Sequence, residues 1–363
     1  MYSKGSAEVP MEHVFCVIMA GGKGERFWPL STSTTPKPFL NLMGDKTMIQ
    51  MALERVRHLV PEERTFVVLG EDQLEVAKKQ LRQLPDEHFI VEPAGRDTAP
   101  CIGFTAMALR TIDPEALMVV MPADHYIPDE DAFVKTLFQA VECARSGEHL
   151  VTIGIKPTRP ETGYGYIYAA EEMEEDYGPS CFQVKRYVEK PDAARAVAYL
   201  AEGHYYWNSG IFAWKADTVL QGIECHMPDL YEGLVEIDEA ILVNEDEKIG
   251  SIFRGFEAIS IDYGLMEKAD NVIMVKANFG WDDVGTWGSL LRISEVDRNG
   301  NYTKGEPVCI DTEDCVVYGD GIAVGTIGVS HLIVVASKDG VLVCDINRDQ
   351  EARKIAKLLG SGS

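Results

Sequence analysis

Short apolar runs alternate with longer amphipathic segments through the first third of this chain. The runs hold three to five apolar and often β-branched residues, which is typical of strands buried on both faces. The segments between them repeat apolar positions with the period of a helix. This alternation predicts a parallel, doubly wound sheet with helices on both faces. The predicted strands are residues 14–18, 66–69, 89–91 and 117–121, and the predicted helices are residues 48–60, 72–84 and 98–111.

The pattern changes twice after this region. From about residue 150, glycine and tyrosine residues at 163–168 predict a hairpin, and residues 183–188 predict a further strand. After Trp287, short β-rich runs separated by glycines predict a small β domain that ends in a helix at residues 350–359. The fold class is therefore α/β, a Rossmann-like doubly wound mixed sheet with a small C-terminal β domain. The β-rich runs are residues 307–318, 322–327, 331–336 and 340–346.

These changes divide the chain into three parts. Residues 1–11 are expected to be a flexible extension, and residues 12–290 are expected to form the main domain. Residues 291–363 are expected to form the small β-rich domain and the C-terminal helix. Within the main domain we expect two halves, residues 12–150 and 151–290.

Composition and charge restrict the possible partners. The chain has 363 residues, of which 46% are hydrophobic, as is ordinary for a globular protein. Its 58 acidic and 34 basic residues give a net charge of −24, which disfavours nucleic acid and anionic membranes as partners. Because there is neither a long apolar run nor a signal pattern, we expect a cytoplasmic protein. The eight cysteines lack zinc-site spacing and are expected to be reduced, mostly buried thiols.

A glycine-rich loop follows the first predicted strand. Gly21, Gly22 and Gly24 lie at the carboxyl end of that strand, where open α/β sheets bind ligands. Glycines there let backbone N–H groups turn toward an anion without a β-carbon in the way. The cations Lys23, Arg26 and Lys37 surround the loop. In a chain so acidic, this local cluster predicts a polyphosphate site.

Two familiar glycine motifs are absent from this loop. A Walker loop ends in Gly-Lys-Ser or Gly-Lys-Thr, whereas Lys23 lies between two glycines here. A dinucleotide-binding fingerprint has a third glycine where this chain has Phe27, so a nicotinamide or flavin cofactor is disfavoured. A glycine turn that only joined a strand to a helix would have no use for three cations.

The loop and seven later motifs resemble those of the nucleotide-sugar pyrophosphorylases. That family has the signature G-G-x-G-x-R-[LF]-x-P-L followed by P-K-P, which this chain matches at residues 21–30 and 36–38. Within the family, the resemblance is strongest to the mannose-1-phosphate guanylyltransferases. The later motifs occur in the family's order at residues 93–100, 122–125, 163–167, 188–191, 208–212, 262–268 and 279–287.

The resemblance implies a fold and an activity. The small domain is expected to be a short left-handed β-helix, and relatives suggest a homodimer. The implied reaction joins GTP and mannose 1-phosphate to give GDP-mannose and pyrophosphate, with Mg²⁺ as cofactor. Two alternatives stay open at this point: the same chemistry with glucose 1-phosphate and UTP, dTTP or ATP, and a sensor that binds nucleotide sugars without turnover.

The resemblance also implies roles for residues of the nucleotide half. The glycine loop with Lys23 is expected to hold the triphosphate, while Arg26 neutralises the leaving pyrophosphate and Lys37 the α-phosphate. Asp124 and Asp283 match the family's metal-binding aspartates, and Asp283 is preferred to its neighbour Asp282. His125 is expected to be a neutral structural residue, and Trp281 and Trp287 are expected to serve packing. Further nucleotide contacts are expected from Arg96, Asp97, Thr98 and Pro122.

A second set of residues is expected to bind the sugar phosphate. Glu189 would accept hydrogen bonds from sugar hydroxyls, Asn208 would donate and accept, and Lys190 would face the phosphate. Gly165 would let the backbone approach the sugar ring, and Asp283 would also belong to this set. Asp97 departs from the family, which often has Asn there; a carboxylate cannot donate a hydrogen bond, so GTP is favoured without being settled.

Overall fold

The computed structural model describes residues 11–22, 24–172 and 180–360, without the side chains of residues 171, 172 and 360. The N-terminal extension up to residue 10, Lys23 and the last three residues therefore lie outside the described residues. Among the residues described, no helix has the length and apolar character needed to cross a membrane.

Nine strands form the central sheet of the main domain, in the order β3-β2-β1-β4-β8-β5-β9-β7-β6, and β6 also pairs with β8. The first four strands in this order are parallel, as predicted, while β8 is antiparallel to both of its main neighbours. The sheet is therefore mixed, and the predicted fold class is confirmed. The strands are β1 Val14–Met19, β2 Thr65–Gly70, β3 Phe89–Glu92, β4 Leu117–Pro122, β5 Leu150–Ile155, β6 Tyr166–Glu172, β7 Cys181–Val188, β8 Tyr205–Lys215 and β9 Val272–Ala277.

Helices cover both faces of this sheet. Alternate residues of β1 point to opposite faces, so Cys16 and Ile18 belong to one apolar core while Phe15 and Val17 belong to the other. The helices are α1 Met48–Val56, α2 Glu71–Gln80, α3 Thr98–Ile112, α4 Glu130–Ser146, α5 Ala193–Glu202, α6 Ala216–His226, α7 Pro228–Leu242, α8 Asp246–Gly255, α9 Leu290–Ile293 and α10 Ala352–Gly360.

Several predicted boundaries were wrong. Both α1 and α2 end four residues before their predicted ends, because the chain turns ahead of Pro61 and Pro85. The predicted run 307–318 is two strands, since Asp314 has a positive φ of 50° that interrupts the extended chain. The helix α4 and the strands β5 and β8 were not predicted as elements.

The small domain is built from stacked parallel strands, as a β-helix is. The strands β10 Tyr302–Lys304, β12 Val316–Gly319 and β14 Leu332–Ser337 are parallel, and β15 Gly340–Asp345 pairs antiparallel with β14. A second face pairs β11 Val308–Glu313 with β13 Gly325–Ser330. The β-helix-like prediction is confirmed, whereas its left-handed sense and the domain boundary at residue 290 stay predictions.

The small domain packs against the segment that follows the glycine loop. A third apolar core contains Phe27, Leu42 and Trp287 from the main domain together with Tyr318 and Leu342 from the small domain. Polar contacts add to it: Tyr302 donates from its hydroxyl to the Leu42 carbonyl, 2.5 Å away. The residues next to the glycine loop are thus held from both domains.

Candidate active site

A cavity of about 210 Å³ lies at the carboxyl ends of the parallel strands. Parallel strands β1 and β4 are adjacent, with Met19 opposite Pro122, so the loops that follow them meet at one edge of the sheet. Segments distant in sequence complete the cavity. Its lining includes Gly21, Gly22, Gly24, Arg26, Phe27, Lys37, Pro38, Asp124, His125, Asp283 and Gly285.

Backbone conformation explains why glycine is needed at two of the three loop positions, but not at the third. Gly22 and Gly24 have φ angles of 99° and 58°, which side chains rarely adopt. A β-carbon at Gly24 would also lie 2.7 Å from the Lys37 backbone nitrogen. Gly21 has no such constraint: a β-carbon there would meet only Oε2 of Glu92, at 3.8 Å. The space beside Gly21 is therefore open, and neither the backbone nor the neighbouring atoms require a glycine at this position.

Lys37 is the most deeply placed cation of the site. Only 6% of it is exposed, and its Nζ lies 2.9 Å from Oδ2 of Asp124. The same Nζ donates to the backbone carbonyl of Asp283. Burial acts to raise the pKa of Asp124, but the charge and hydrogen bond of Lys37 outweigh it and hold that pKa below its usual value. Asp124 is therefore ionised at neutral pH, and Lys37 joins two distant segments.

The structure places Asp283 in the cavity and Asp282 behind it. Asp282 is only 3% exposed and lies 3.1 Å from Arg292 and 3.5 Å from Arg159 in ion pairs. Asp283 instead accepts a 2.7 Å hydrogen bond from the Tyr164 hydroxyl. The neighbouring carboxylates thus have separate environments, one within a structural ion-pair network and one at the cavity.

Arg26 reaches the cavity from the turn after the glycine loop. A β-carbon at Gly285 would lie 3.0 Å from Asp283 Oδ2 and 3.3 Å from Arg26 Nη1, so both groups border the same small space. The guanidinium also donates a long hydrogen bond, 3.4 Å, to Oε1 of Gln350 just before α10. The small domain therefore contacts a cavity residue directly.

His125 has the neutral, structural character expected of it. It is 9% exposed, and burial lowers its pKa to about 4, with Lys37 adding to the effect and Asp124 opposing it. Its Nδ1 accepts from the indole of Trp281 at 3.2 Å. Trp287 is fully buried in the core between the domains. His125 lines the cavity, but with this pKa its ring is neutral at neutral pH.

A second cluster surrounds Gly165. A β-carbon at Gly165 would lie 2.3 Å from Glu189 Oε2 and 3.4 Å from the β-carbon of Asn208, so these predicted residues are brought together. Lys190 is more exposed and pairs with Glu189 Oε1 at 2.9 Å. Tyr164, which binds Asp283, directly precedes Gly165, and this dipeptide links the cluster to the loop cavity.

Asp262 belongs to this second cluster but was not predicted as a site residue. Its Oδ1 accepts hydrogen bonds from the Tyr187 hydroxyl at 2.5 Å and from Asn208 Nδ2 at 2.9 Å. Burial raises its pKa, against the effect of these donors. The motif at 262–268 is visible in the sequence, but only the approach of β7 and β8 shows that Asp262 is the residue of this motif that contacts Tyr187 and Asn208.

The hydrogen bonds that Asn208 makes within the protein determine which of its donors and acceptors are left for a ligand. Its Oδ1 accepts from the Thr152 hydroxyl and from the Gly210 amide, both at 3.1 Å, which uses both lone pairs. One of its two Nδ2 hydrogens is given to Asp262. Asn208 therefore has one N–H left and is a donor, whereas the sequence prediction had it both donating and accepting.

The predicted base-side residues lie at the start of α3, outside the lining of the loop cavity. Arg96 donates to the Arg254 carbonyl, and Asp97 caps α3 by accepting from the Thr98 amide at 2.8 Å. The Thr98 hydroxyl accepts from the Ile261 amide at 2.8 Å. Pro122 ends β4, two residues before Asp124, and Lys23 lies outside the described residues.

The carboxylates at the cavity fit a divalent cation that also binds substrate. Asp124 and Asp283 offer hard oxygen ligands on one lining, and Asp124 is ionised. Within the described part of the chain, no group of three or more His, Cys, Asp or Glu could hold an ion alone. Substrate oxygens and water would have to complete the coordination, as Mg²⁺ commonly allows.

Two family models match the chain in succession. The model described as Nucleotidyl transferase matches residues 15–300. The model described as MannoseP isomerase/GMP-like beta-helix domain matches residues 305–359.

Individual proteins match over nearly the whole chain. The mannose-1-phosphate guanylyltransferase of Escherichia coli is 40% identical, over 95% of this chain and 73% of that protein. The alginate biosynthesis protein AlgA of Pseudomonas aeruginosa is 37% identical, over 94% of this chain and 71% of that protein. A crystal structure from Thermus thermophilus, named mannose-1-phosphate geranyltransferase, superposes with a TM-score of 0.86 at 38% identity, over 96% of this chain and 99% of that one.

Proposed function

The chain belongs to the nucleotidyl transferase family and, within it, to the mannose-1-phosphate guanylyltransferases, and from this membership we propose that it transfers GMP from GTP to α-D-mannose 1-phosphate. The products would be GDP-mannose and pyrophosphate. The family resemblance inferred from the motifs is confirmed. The observation that carries the proposal is the cavity in which a glycine loop, two cations and two carboxylates converge.

The reaction needs alignment and charge neutralisation more than proton transfer. An oxygen of the sugar phosphate attacks the α-phosphorus of GTP, a new P–O bond forms, and the bond to the β-phosphate breaks on the opposite side. The attacking phosphate is already ionised, so no general base is required, in keeping with the neutral His125. Fixed cations that meet the charge of the transition state supply most of the catalysis in such reactions.

The residues of the loop cavity divide this work. Backbone N–H groups of Gly21, Gly22 and Gly24 would hold the triphosphate. Lys37 would neutralise the α-phosphate, since its ammonium is buried beside the loop. Arg26 would face the departing pyrophosphate, where a planar guanidinium can bind two oxygens at once.

The sugar phosphate would occupy the second cluster. Glu189 would accept hydrogen bonds from sugar hydroxyls, and Lys190 would face the phosphate. Asn208 would donate one N–H to a sugar oxygen, because its other hydrogen-bonding groups are used within the protein. The absence of a side chain at Gly165 makes room for the Glu189 carboxylate rather than for the sugar ring, so Gly165 would act by placing Glu189.

Nucleotidyl transferases of this family generally use a divalent metal, and we propose that Mg²⁺ is that metal here. Asp124 and Asp283 would hold it, and when bound it would offset the negative charge of the phosphates. The expected homodimer, the expected absence of nucleic-acid partners and the expected cytoplasmic location stay predictions.

The experiment that tests the proposal measures pyrophosphate release over a grid of nucleotides and sugars. GTP, ATP, UTP and dTTP would each be combined with mannose 1-phosphate and glucose 1-phosphate, with Mg²⁺ present. We expect GTP with mannose 1-phosphate to dominate and a chelator to abolish the signal. Another dominant pair would overturn the substrate assignment. If no combination gave turnover while GDP-mannose still bound, the protein would instead be a sensor that binds nucleotide sugars without converting them.

Replacing Asp124 with Asn is expected to weaken the metal dependence of the enzyme. Loss of one carboxylate from the proposed metal pair should raise the Mg²⁺ concentration needed for half-maximal activity by about tenfold or more, and kcat should fall by at least about a hundredfold. Magnesium titrations of pyrophosphate release would measure both. The exposed Asp131 on α4 provides the control, Asp131→Asn, which should match the parent. An unchanged titration of Asp124→Asn would argue against the metal pair.

Replacing Asp262 with Leu is expected to impair sugar binding selectively. Without the carboxylate, the Nδ2 group of Asn208 loses its acceptor and its orientation depends on the contacts of Oδ1 alone. The KM for mannose 1-phosphate should therefore rise by about tenfold or more while the KM for GTP stays within about twofold. Asp262→Asn keeps an oxygen that can accept from Tyr187 and Asn208 and should restore most of the affinity. Equal increases of both KM values in Asp262→Leu would indicate general damage and remove Asp262 from this positioning role.

A further inference from the structure

Tyr164 lies directly behind Asp283, one of the two carboxylates proposed to hold the metal. It is 7% exposed, and the described residues that line the loop cavity include Asp283 but not Tyr164. Its hydroxyl nevertheless donates a 2.7 Å hydrogen bond to Oδ1 of Asp283. A buried side chain in this place acts on a bound ligand through Asp283 rather than by touching the ligand.

The direction of this hydrogen bond is set by Arg159. The Nη2 atom of Arg159 lies 3.1 Å from the Tyr164 hydroxyl, and a guanidinium can only donate. The hydroxyl oxygen therefore accepts from Arg159, and its single proton is given to Asp283. Arg159 is itself held by Glu161, whose Oε2 lies 3.2 Å from its Nε. A chain of charge-assisted hydrogen bonds thus runs from Arg159 through Tyr164 to Asp283.

The ring of Tyr164 is also held in one place. It packs edge-on against Trp207 and Trp281, with ring centroids 5.2 Å and 5.0 Å away. Trp281 lies two residues before Asp283, so Tyr164 contacts this segment twice, once through its ring and once through its hydroxyl. Because the ring is packed between two indoles, its hydroxyl favours a single orientation of the Asp283 side chain.

The two carboxylate oxygens of Asp283 are consequently not equivalent. Oδ1 accepts from Tyr164, whereas no hydrogen bond to Oδ2 occurs among the described residues. Oδ2 borders the cavity, because a β-carbon at Gly285 in the cavity lining would lie 3.0 Å from it. Hard divalent cations bind carboxylate oxygens, and Oδ2 is the oxygen that the protein leaves available.

We propose that Tyr164 positions Asp283 for the divalent cation, by holding Oδ1 and leaving Oδ2 for the metal. The inference rests on the proposed function and adds a residue that makes one of its metal ligands effective. Hydrogen bonds to the side chains that bind a metal commonly change metal affinity by about tenfold to a hundredfold. Tyr164 is therefore a positioning residue, and no proton transfer is required of it.

The backbone next to Tyr164 belongs to the sugar-phosphate cluster. The Gly165 carbonyl accepts from the Asn208 amide at 2.8 Å, and Tyr166 pairs with Trp207 between β6 and β8. The same short segment thus orders a proposed metal ligand on one side and the Asn208 donor on the other. A role of the hydroxyl in sugar binding alone would leave metal binding unchanged, so the two roles can be separated by experiment.

Calorimetry of GTP binding tests the proposal without turnover, since no reaction occurs when mannose 1-phosphate is absent. The Kd for GTP would be measured with Mg²⁺ and with a chelator, and the ratio of the two values is the gain in affinity due to the metal. Tyr164→Phe removes only the hydroxyl, so this gain should fall by about tenfold while the Kd in chelator stays within about twofold. General damage would weaken both measurements equally. A parent-like gain in Tyr164→Phe would overturn the proposal.

A control and a double variant show whether the hydroxyl acts through Asp283. Tyr205→Phe removes the hydroxyl of another buried tyrosine of the sheet and should keep the parent gain. Asp283→Ala should lower the gain by itself, and adding Tyr164→Phe should lower it by less than about twofold more, because the carboxylate that Tyr164 holds is already gone. Additive losses in the double variant would overturn the positioning role.

Failure of the proposed function would give a different result. A parent protein that did not bind GTP, or that bound it equally with and without Mg²⁺, would contradict the proposed function or its metal. If the parent showed the gain and Tyr164→Phe changed only the KM for mannose 1-phosphate, Tyr164 would belong to the sugar site and the inference alone would be wrong.

Discussion

Replacing Lys37 with Met should abolish most of the activity, lowering kcat by about a thousandfold. Lys37 is the buried cation beside the glycine loop, and no other described cation lies as deep in the cavity lining. Methionine keeps much of the side-chain volume but removes the charge that would meet the α-phosphate. Pyrophosphate release at saturating substrates measures this loss.

The same replacement should also destabilise the protein. It leaves Asp124 as a partly buried carboxylate without its 2.9 Å partner, at a cost of about 2 kcal/mol, or a few degrees in melting temperature. The double variant Lys37→Met/Asp124→Asn removes both charges and should recover stability without recovering activity. Lys46→Met, an exposed lysine paired with Glu54, is the matched control and should behave like the parent. Parent-like turnover of Lys37→Met would remove Lys37 from catalysis.

Replacing Arg26 with Ala should lower kcat by about a hundredfold to a thousandfold with little effect on stability. The guanidinium borders the space next to Asp283, but its only hydrogen bond among the described contacts is the 3.4 Å one to Gln350. Folding therefore gains little from it, whereas charge building up on pyrophosphate would lose its partner. Turnover and thermal unfolding of the same preparation separate the two effects.

Two further variants sharpen the test of Arg26. Arg26→Lys keeps the charge but loses the planar fork, so its kcat should lie between those of the parent and Arg26→Ala. Gln350→Ala removes the contact from the small domain and should cost less than about tenfold, since the guanidinium itself remains. If Arg26→Ala retained parent turnover, a cation other than Arg26 would have to neutralise the departing pyrophosphate.

Most of the main sheet could be predicted because its first half is locally periodic. The runs that became β1 to β4 are apolar on both faces, and this signal needs no knowledge of distant residues. The later elements were harder. Strand β8 contains Asn208 and Ser209 inside its span, and helix ends depended on turns before prolines rather than on periodicity.

The site was predictable to the extent that its chemistry lies in contiguous motifs. Arg26, Lys37, Asp124 and Asp283 were proposed from such motifs, and the structure gathers them around one cavity. The residues that were missed act through tertiary contacts. Asp262 contacts the second cluster because strands β7 and β8 bring Tyr187 and Asn208 to it, and this approach has no local signature in the sequence.

The close fit of the small domain against the glycine-loop segment constrains how the two can diverge in evolution. A β-carbon at Gly340 would lie 2.6 Å from the ring of Trp28, so the bulky indole and the absent side chain form a matched pair. Ser337 donates to the carbonyl of Pro29 at 3.2 Å in the same junction. Gly340 also has a φ of 153°, which residues with side chains rarely adopt, so a smaller residue at Trp28 would not by itself allow a side chain at Gly340. Among descendants of a common ancestor, Gly340 should therefore be retained even where Trp28 has been replaced.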